Sequence, residues 1–197
     1  MVPSASHSEV GNPAPRGNYF ACLPVRFPGD PWLALKSDAP EALRWFHPDD
    51  LHLTVAFFGR ENPDRIPAVR EVLAGVPCIG TTVTLGALRL LPRPRRFSAL
   101  SFQIQAGHEE IAGLIAAWRG PLLEAAGRPP DVRPPLPHLT IARPARRHPD
   151  FRSGRIARWA AALTPPAAPI SVQAPVLFGW SAERPRRQFR VLEDGSG

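Results

Sequence analysis

Two near-copies of one pentapeptide, His52-Leu53-Thr54-Val55-Ala56 and His138-Leu139-Thr140-Ile141-Ala142, fall in opposite halves of the chain. Each combines β-branched and apolar residues in the manner of a short strand. A strand points alternate side chains to opposite faces. In each copy the His and Thr therefore share one face, while Leu and Val or Ile turn the other way into apolar packing. A fold that accommodates both copies needs two similar strand environments, which points to a duplicated lobe with a pseudo-twofold axis. If the copies face each other, two imidazoles and two hydroxyls surround one small volume. Two imidazoles can divide acid and base work near neutral pH, because the unperturbed histidine pKa lies there. Two hydroxyls can donate to anionic oxygens. The set suits phosphoester chemistry without a metal.

The rest of the chain reads as an α+β protein. Tyr19–Leu23 is an apolar run expected as a first strand. Asp38 and Glu41 have the spacing of a capping box, with Pro40 in the first turn and Leu43, Trp45 and Phe46 as the apolar side of a helix. His52–Phe58 is a strand ended by Gly59. Asn62-Pro63 opens a helix with Ile66, Val69 and Leu73 on one stripe and Gly75 as its stop. Thr82–Leu91 and Phe97–Gln105 are two strands joined by the basic turn Pro92-Arg93-Pro94-Arg95-Arg96. Ile111, Leu114, Ile115 and Trp118 mark a helix that Pro121 should kink or end. A proline-rich connector, Arg128–Pro137, leads into the second motif. A short helix at Ile156–Leu163 and closing strands at Ile170–Phe178 and Gln188–Leu192 complete the order βαβαββαβαββ. Residues 1–17 form an expected disordered tail, 18–193 a single catalytic domain, and 194–197 a second short tail.

Composition narrows the partners. At 44% hydrophobic residues the chain can bury a core, and its net charge of +7 is carried almost wholly by arginine, Lys36 being the sole lysine. Arginine offers phosphate a planar fork, so the excess suits a nucleotide or nucleic acid, although a biased genome composition produces the same enrichment. Arg93, Arg95, Arg96, Arg133, Arg146 and Arg147 are either an RNA-tracking surface or solvated loops. Cys22 and Cys78 sit among apolar residues and read as free, buried thiols in a reducing compartment. No apolar stretch resembles a signal peptide or a membrane span, so the protein is expected to be soluble and cytoplasmic, with nothing demanding more than a monomer. The four remaining histidines, His7, His47, His108 and His148, lack a partner motif and read as surface residues. No Cys/His cluster is evident, and the motif supplies hydroxyls where a metal needs ligands, so neither metal nor cofactor is expected.

A lone His-x-Thr strand is ordinarily half-buried with its polar side in solvent. Two copies drawn from only six histidines change that balance. The paired motifs resemble those of the 2H phosphoesterase superfamily, and the longer matches resemble its RNA 2′,3′-cyclic phosphodiesterase branch, also called 2′-5′ RNA ligases. The resemblance runs from Asn18 to Leu192 and includes Asn18-Tyr19-Phe20-Ala21-Cys22-Leu23-Pro24, where the family has an arginine at the place of Asn18. It also includes Leu51–Gly59, Pro137–Arg143 and Ala174-Pro175-Val176-Leu177-Phe178.

The resemblance implies a bilobal fold, two antiparallel sheets flanked by helices around a central cleft. It implies metal-independent opening of a 2′,3′-cyclic phosphate at an RNA or oligonucleotide end, leaving a 2′-phosphate, as part of RNA processing. His52 would be the proton donor and His138 the proton acceptor, with Thr54 and Thr140 on the non-bridging oxygens; symmetry alone permits the reverse order. Arg143 stands at an odd spacing that puts it on the other face of a regular strand, yet the resemblance implies it contacts the phosphate, which requires the strand to end or bend there. Phe20 and Phe57, with Tyr19 and Phe58, are candidates for stacking a terminal base, against ordinary core packing. Attack by a 5′ hydroxyl would make the same residues a 2′-5′ RNA ligase. A small cyclic nucleotide or ADP-ribose cyclic phosphate is a further substrate class. A plain RNA-binding module with structural histidines is the non-enzymatic alternative.

Overall fold

The computed structural model describes residues 17–29, 35–152, 154–182 and 186–192. Apart from Gly17, the two expected tails lie outside the described residues. Among the described residues, ten strands and three full helices follow in chain order: β1 (Asn18–Arg26), β2 (Leu43–Trp45), β3 (His52–Arg60), α1 (Ile66–Ala74), β4 (Thr82–Val83), β5 (Leu85–Leu91), β6 (Ala99–Ile104), α2 (His108–Ala125), β7 (His138–Pro144), α3 (Arg155–Ala162), β8 (Ile170–Val172), β9 (Val176–Trp180) and β10 (Phe189–Val191), with Leu35-Lys36 also helical. The fold is α+β. One antiparallel path runs β10-β9-β1-β3-β7-β6-β5, with β2 paired to β7, and β8 bridging β1 to β4.

The sheet has two halves. β1 and β3 pair over seven positions in one, β6 and β7 over four in the other, whereas β3 and β7 meet at a single pair, Leu53 with Leu139. One shared pair joins the halves while leaving them free to diverge into a curled sheet with a cleft. Leu53, Leu139 and Ile141 are fully buried and, with Phe58, Leu100 and Phe102, belong to one continuous core. α2 lies across β3 and α1, presenting Ile111, Leu114, Ile115, Leu122 and Leu123 to that core at helical spacing.

Four sequence expectations need correction. The segment from Asp38 to Phe46 is not a helix: Asp38–Ala42 is turn and irregular backbone, and Leu43–Trp45 forms β2. Pro40 restrains Ala39 from helical dihedrals, and the open edge of β7 offers pairing through Leu43 with Pro144 and Trp45 with Ala142. Pro121 does not end α2 early, since the helix continues to Ala125. The cost of an interior proline, about 3 kcal/mol, is offset by burial of Leu122 and Leu123 in the next turn, at about 1.5–3 kcal/mol each. β3 continues past Gly59 to Arg60, because Gly59 adopts a φ of +73° that a side chain would resist. Cys22 is buried, but Cys78 is exposed in the loop after α1; both are free.

The coarse order is therefore βββαβββαβαβββ, with the expected strands at 82–91 and 170–178 each divided in two. Thr84 and the Gln173-Ala174-Pro175 stretch are the interruptions. Among the described residues no helix is long and apolar enough to cross a membrane.

Candidate active site

β3 and β7 carry the duplicated motif, and their antiparallel pairing at Leu53 and Leu139 brings the copies together. Antiparallel register then sets His52 beside Thr140 and Thr54 beside His138. The paired leucines face the core, so the two imidazoles and two hydroxyls occupy the opposite face. A local twofold axis through the leucine pair relates one copy to the other.

Each imidazole is held the same way. His52 Nδ1 lies 2.6 Å from the Asp50 carbonyl oxygen, and His138 Nδ1 lies 2.7 Å from the Leu136 carbonyl oxygen. A carbonyl only accepts, so Nδ1 carries the hydrogen in both rings and Nε2 is left for a reacting group. The surroundings then break the symmetry. His52 is 9% exposed, with Phe20, Phe189 and Phe178 ring centroids at 4.7, 5.3 and 5.7 Å. Burial pushes its pKa down to about 4, with electrostatic repulsion from the neighbouring His138 and Arg143 adding to the effect against the Asp50 hydrogen bond. His52 is therefore neutral at neutral pH. His138 is half-buried and opens onto a cavity of about 600 Å³ that Thr54 and Phe57 also line.

The odd spacing of Arg143 is resolved by a bulge. Across β6 and β7, Leu100 faces Ala142 while Ser101 faces Thr140, so β7 carries one extra residue, Ile141. Ile141 and Ala142 are consecutively buried, and alternation resumes in the opposite phase. Arg143 thus emerges on the His138/Thr140 face. Its guanidinium lies 5.7 Å from the Phe46 ring, which packs on Phe189 beneath His52. β3 repeats the device: Ala21 faces Ala56 while Cys22 faces Thr54, and Val55 and Ala56 are consecutively buried. Phe57, five residues after His52, therefore emerges on the same face and is 56% exposed. The pseudo-twofold equivalents are an aromatic ring on the His138 side and an arginine on the His52 side.

Of the two readings of Phe20, base stacking or core packing, the structure favours the second. At 3% exposure it is enclosed between His52, Phe57, Phe178 and Phe189, where it supports the imidazole and presents no open face to a substrate. Tyr19 and Phe58 are core residues in mutual contact. Arg93, Arg95 and Arg96 are exposed in the turn between β5 and β6 and do not themselves line the cavity, although Ser98 at the end of that turn does.

Two residues that sequence reading passed over complete the site. Ser101, buried at 0% exposure, has its Oγ 2.9 Å from Thr140 Oγ1. Its signal was a hydroxyl inside the apolar strand Leu100-Ser101-Phe102. Asp50, also at 0%, accepts the backbone N–H groups of Gln188 at 2.8 Å and Phe189 at 3.2 Å while its own carbonyl holds His52. It ties β10, and so the ring of Phe189, to the first motif. Its signal was an acid two residues before the motif histidine. Among the described residues no three His, Cys, Asp or Glu side chains are grouped to hold a metal ion.

Comparison with known proteins follows the same lines. LigT of E. coli in complex with 3′-AMP superposes with a TM-score of 0.62 at 22% identity, covering 91% of this chain and 97% of that one. A protein of Thermus thermophilus superposes with a TM-score of 0.55 at 19% identity, covering 89% and 95%. The fold is that of the LigT-like 2H phosphoesterases. In sequence, the RNA 2′,3′-cyclic phosphodiesterase of Geobacillus stearothermophilus is 30% identical over 140 residues, 65% of this chain. The chain spans 42% of that relative's length. No protein-family profile matches the chain. Within the 2H phosphoesterase fold, the twin bulges and the paired carbonyl locks are what bring the motif residues of both halves to one surface.

Proposed function

We propose that this protein hydrolyses the 2′,3′-cyclic phosphate at an RNA or oligonucleotide end to a 2′-phosphate, without a metal. The observation that carries the proposal is the pair of imidazoles on one sheet face, each with Nδ1–H committed to a backbone carbonyl and Nε2 left for a substrate. The likeness to an RNA 2′,3′-cyclic phosphodiesterase supports the same substrate class. So does the nucleotide held by a protein of the same fold, the LigT complex with 3′-AMP.

His138 Nε2 accepts a proton from water as the water oxygen attacks phosphorus. The bond from phosphorus to O3′ breaks, and His52 Nε2 gives its proton to O3′, leaving a 3′ hydroxyl and a 2′-phosphate. Each positioned transfer is worth about 10²–10⁴ in rate. Thr54 and Thr140 donate to the non-bridging oxygens, where charge grows in the transition state, and Ser101 fixes the Thr140 hydroxyl. Arg143 faces the phosphate from the His52 side, and Phe57 stacks the terminal base from the His138 side. His52 is neutral in the free protein, so the phosphodiester's negative charge has to draw a proton onto it. The protein acts as a monomer in the cytoplasm.

One observation favours the reverse order: the burial that keeps His52 neutral also suits a base. A substrate whose 3′ bridging oxygen is replaced by sulfur separates the two, because a thiolate leaves without a proton. In EDTA, wild type should turn over the ordinary cyclic phosphate, and His52→Ala and His138→Ala should not. His52→Ala should regain turnover on the sulfur substrate. If His138→Ala regains it instead, the roles are exchanged; if folded wild type cleaves neither substrate, the hydrolase assignment fails.

A further inference from the structure

The cavity beside His138 does not end at the site. A second cavity of about 380 Å³ shares Phe57, Arg119, Asp131 and Arg133 with the first and continues to Arg128. Together they form a groove leading outward from Thr54 and His138. A cavity of about 300–1,000 Å³ is the size that holds a small organic ligand. The first cavity, at about 600 Å³, therefore suffices for one nucleotide, and the second is further room.

The junction of the two cavities is built for an anion. Asp131 accepts from Arg133 Nε at 2.8 Å and from one Arg133 Nη at 2.7 Å, and lies 3.7 Å from Arg119. Arg119 also donates to the Arg133 carbonyl. Hydrogen bonding from Arg133 holds the Asp131 carboxyl well below the usual carboxylate range. The carboxylate thus acts as a buttress that fixes the Arg133 fork while the Arg133 side chain remains 83% exposed. The second Nη keeps its hydrogens for another acceptor. Arg128 donates to the Arg60 carbonyl at 2.8 Å, and its Nε is buried with no partner. Two guanidinium groups, Arg133 and Arg119, face one carboxylate, and Arg128 lines the second cavity, so the groove carries an excess of positive charge. Pro129, Pro130 and Pro134 stiffen its wall, which lowers the ordering cost of binding.

We propose that this groove is an extension subsite for the nucleotide unit on the 5′ side of the cyclic phosphate. That unit's phosphodiester sits at Arg133 and Arg119, with Arg128 beyond. The inference rests on the cyclic-phosphodiesterase reading above and adds a second phosphate to it. A strand ending in a 2′,3′-cyclic phosphate continues only through its terminal 5′ oxygen, so it leaves the site by one exit. Two other depressions compete, one of about 340 Å³ lined by Arg44, Arg146 and Arg147 and one of about 390 Å³ lined by Arg26, Arg187 and Phe178. No residue of the two motifs lines either, whereas the groove begins at Thr54, Phe57 and His138.

The test compares kcat/KM on a mononucleoside 2′,3′-cyclic phosphate with that on a dinucleotide bearing the same end. Charge-assisted contacts to one added phosphate predict a preference for the dinucleotide of roughly tenfold to a hundredfold. Arg133→Ala and Arg128→Ala should narrow that ratio towards one, and the Arg146→Ala, Arg147→Ala double variant should preserve it. Equal wild-type values on both substrates would overturn the subsite, as would a ratio that collapses only in the double variant. If wild type cleaves neither, the hydrolase reading has failed, and the subsite is judged by binding of mono- and dinucleotide 2′-phosphates. Tighter binding of the dinucleotide that depends on Arg133 then sustains it, and equal affinities refute it.

Discussion

The burial of His52 makes the protein's stability a function of pH, with a sign and size that follow from its surroundings. In the unfolded chain the imidazole titrates near 6.5; in the folded protein burial lowers that to about 4. As pH falls from 6.5, the unfolded chain takes up the proton first, so acid favours unfolding. The stabilising contribution is fully present above 6.5 and is lost as pH falls through 4. At about 1.4 kcal/mol per tenfold in proton concentration, the window from 6.5 to about 4 removes about 3 kcal/mol. That is a large share of a typical domain's 5–15 kcal/mol. The reference is His52→Phe, whose ring suits a cage of three phenylalanines. Loss of the hydrogen bond to Asp50 is the same at every pH and cancels from the trend. Asp131, the other strongly perturbed acid, loses its contribution only below the ordinary carboxylate range, outside the window. Urea unfolding of both proteins at several pH values between 7 and 4 measures the difference. Wild type should lose about 3 kcal/mol more than the variant. A differential loss under about 1 kcal/mol, or one of opposite sign, would refute a neutral, buried His52.

Other outcomes follow from the same geometry. Removing the Arg143 charge lifts one of the influences that lower His52, so Arg143→Ala should raise the His52 midpoint in an NMR titration. Ser101→Ala deletes the hydroxyl beside Thr140; it should cost about 1 kcal/mol of stability and lower kcat several-fold with little change in KM, as steady-state kinetics would show. Asp50→Ala strands two N–H groups on Gln188 and Phe189 and should cost about 2–5 kcal/mol in chemical unfolding. Asp50→Asn, which keeps one carbonyl oxygen, should recover part of that loss.

What could be read from the sequence was whatever depends on residues close together in the chain. Alternation over His52-Leu53-Thr54 and its copy needs no distant contact, so the shared face of each His and Thr was legible, as were the strands that carry them. α1 was legible in the same way, from Asn62-Pro63 at its entry to Gly75 at its stop. The Asp38–Phe46 segment was misread because its caps suit a helix, while the edge of β7, about 100 residues away, supplies hydrogen bonds that a strand satisfies better. An early end at Pro121 was a misreading because the burial that outweighs its cost belongs to Leu122 and Leu123 against other elements.

The site itself divides along the same line. The sequence by itself determined which side chains are candidates for the chemistry and that they come in two equivalent sets. Tertiary structure decided how the sets meet and how they differ. The single Leu53–Leu139 pair sets their facing, and register against β1 and β6 creates the bulges that turn Phe57 and Arg143 onto the functional face. Three phenylalanines from β1, β9 and β10 make His52 the buried imidazole of the two. A bulge and a buried charge are properties of neighbours brought together from across the chain, and the identity of those neighbours is set only when the sheet closes.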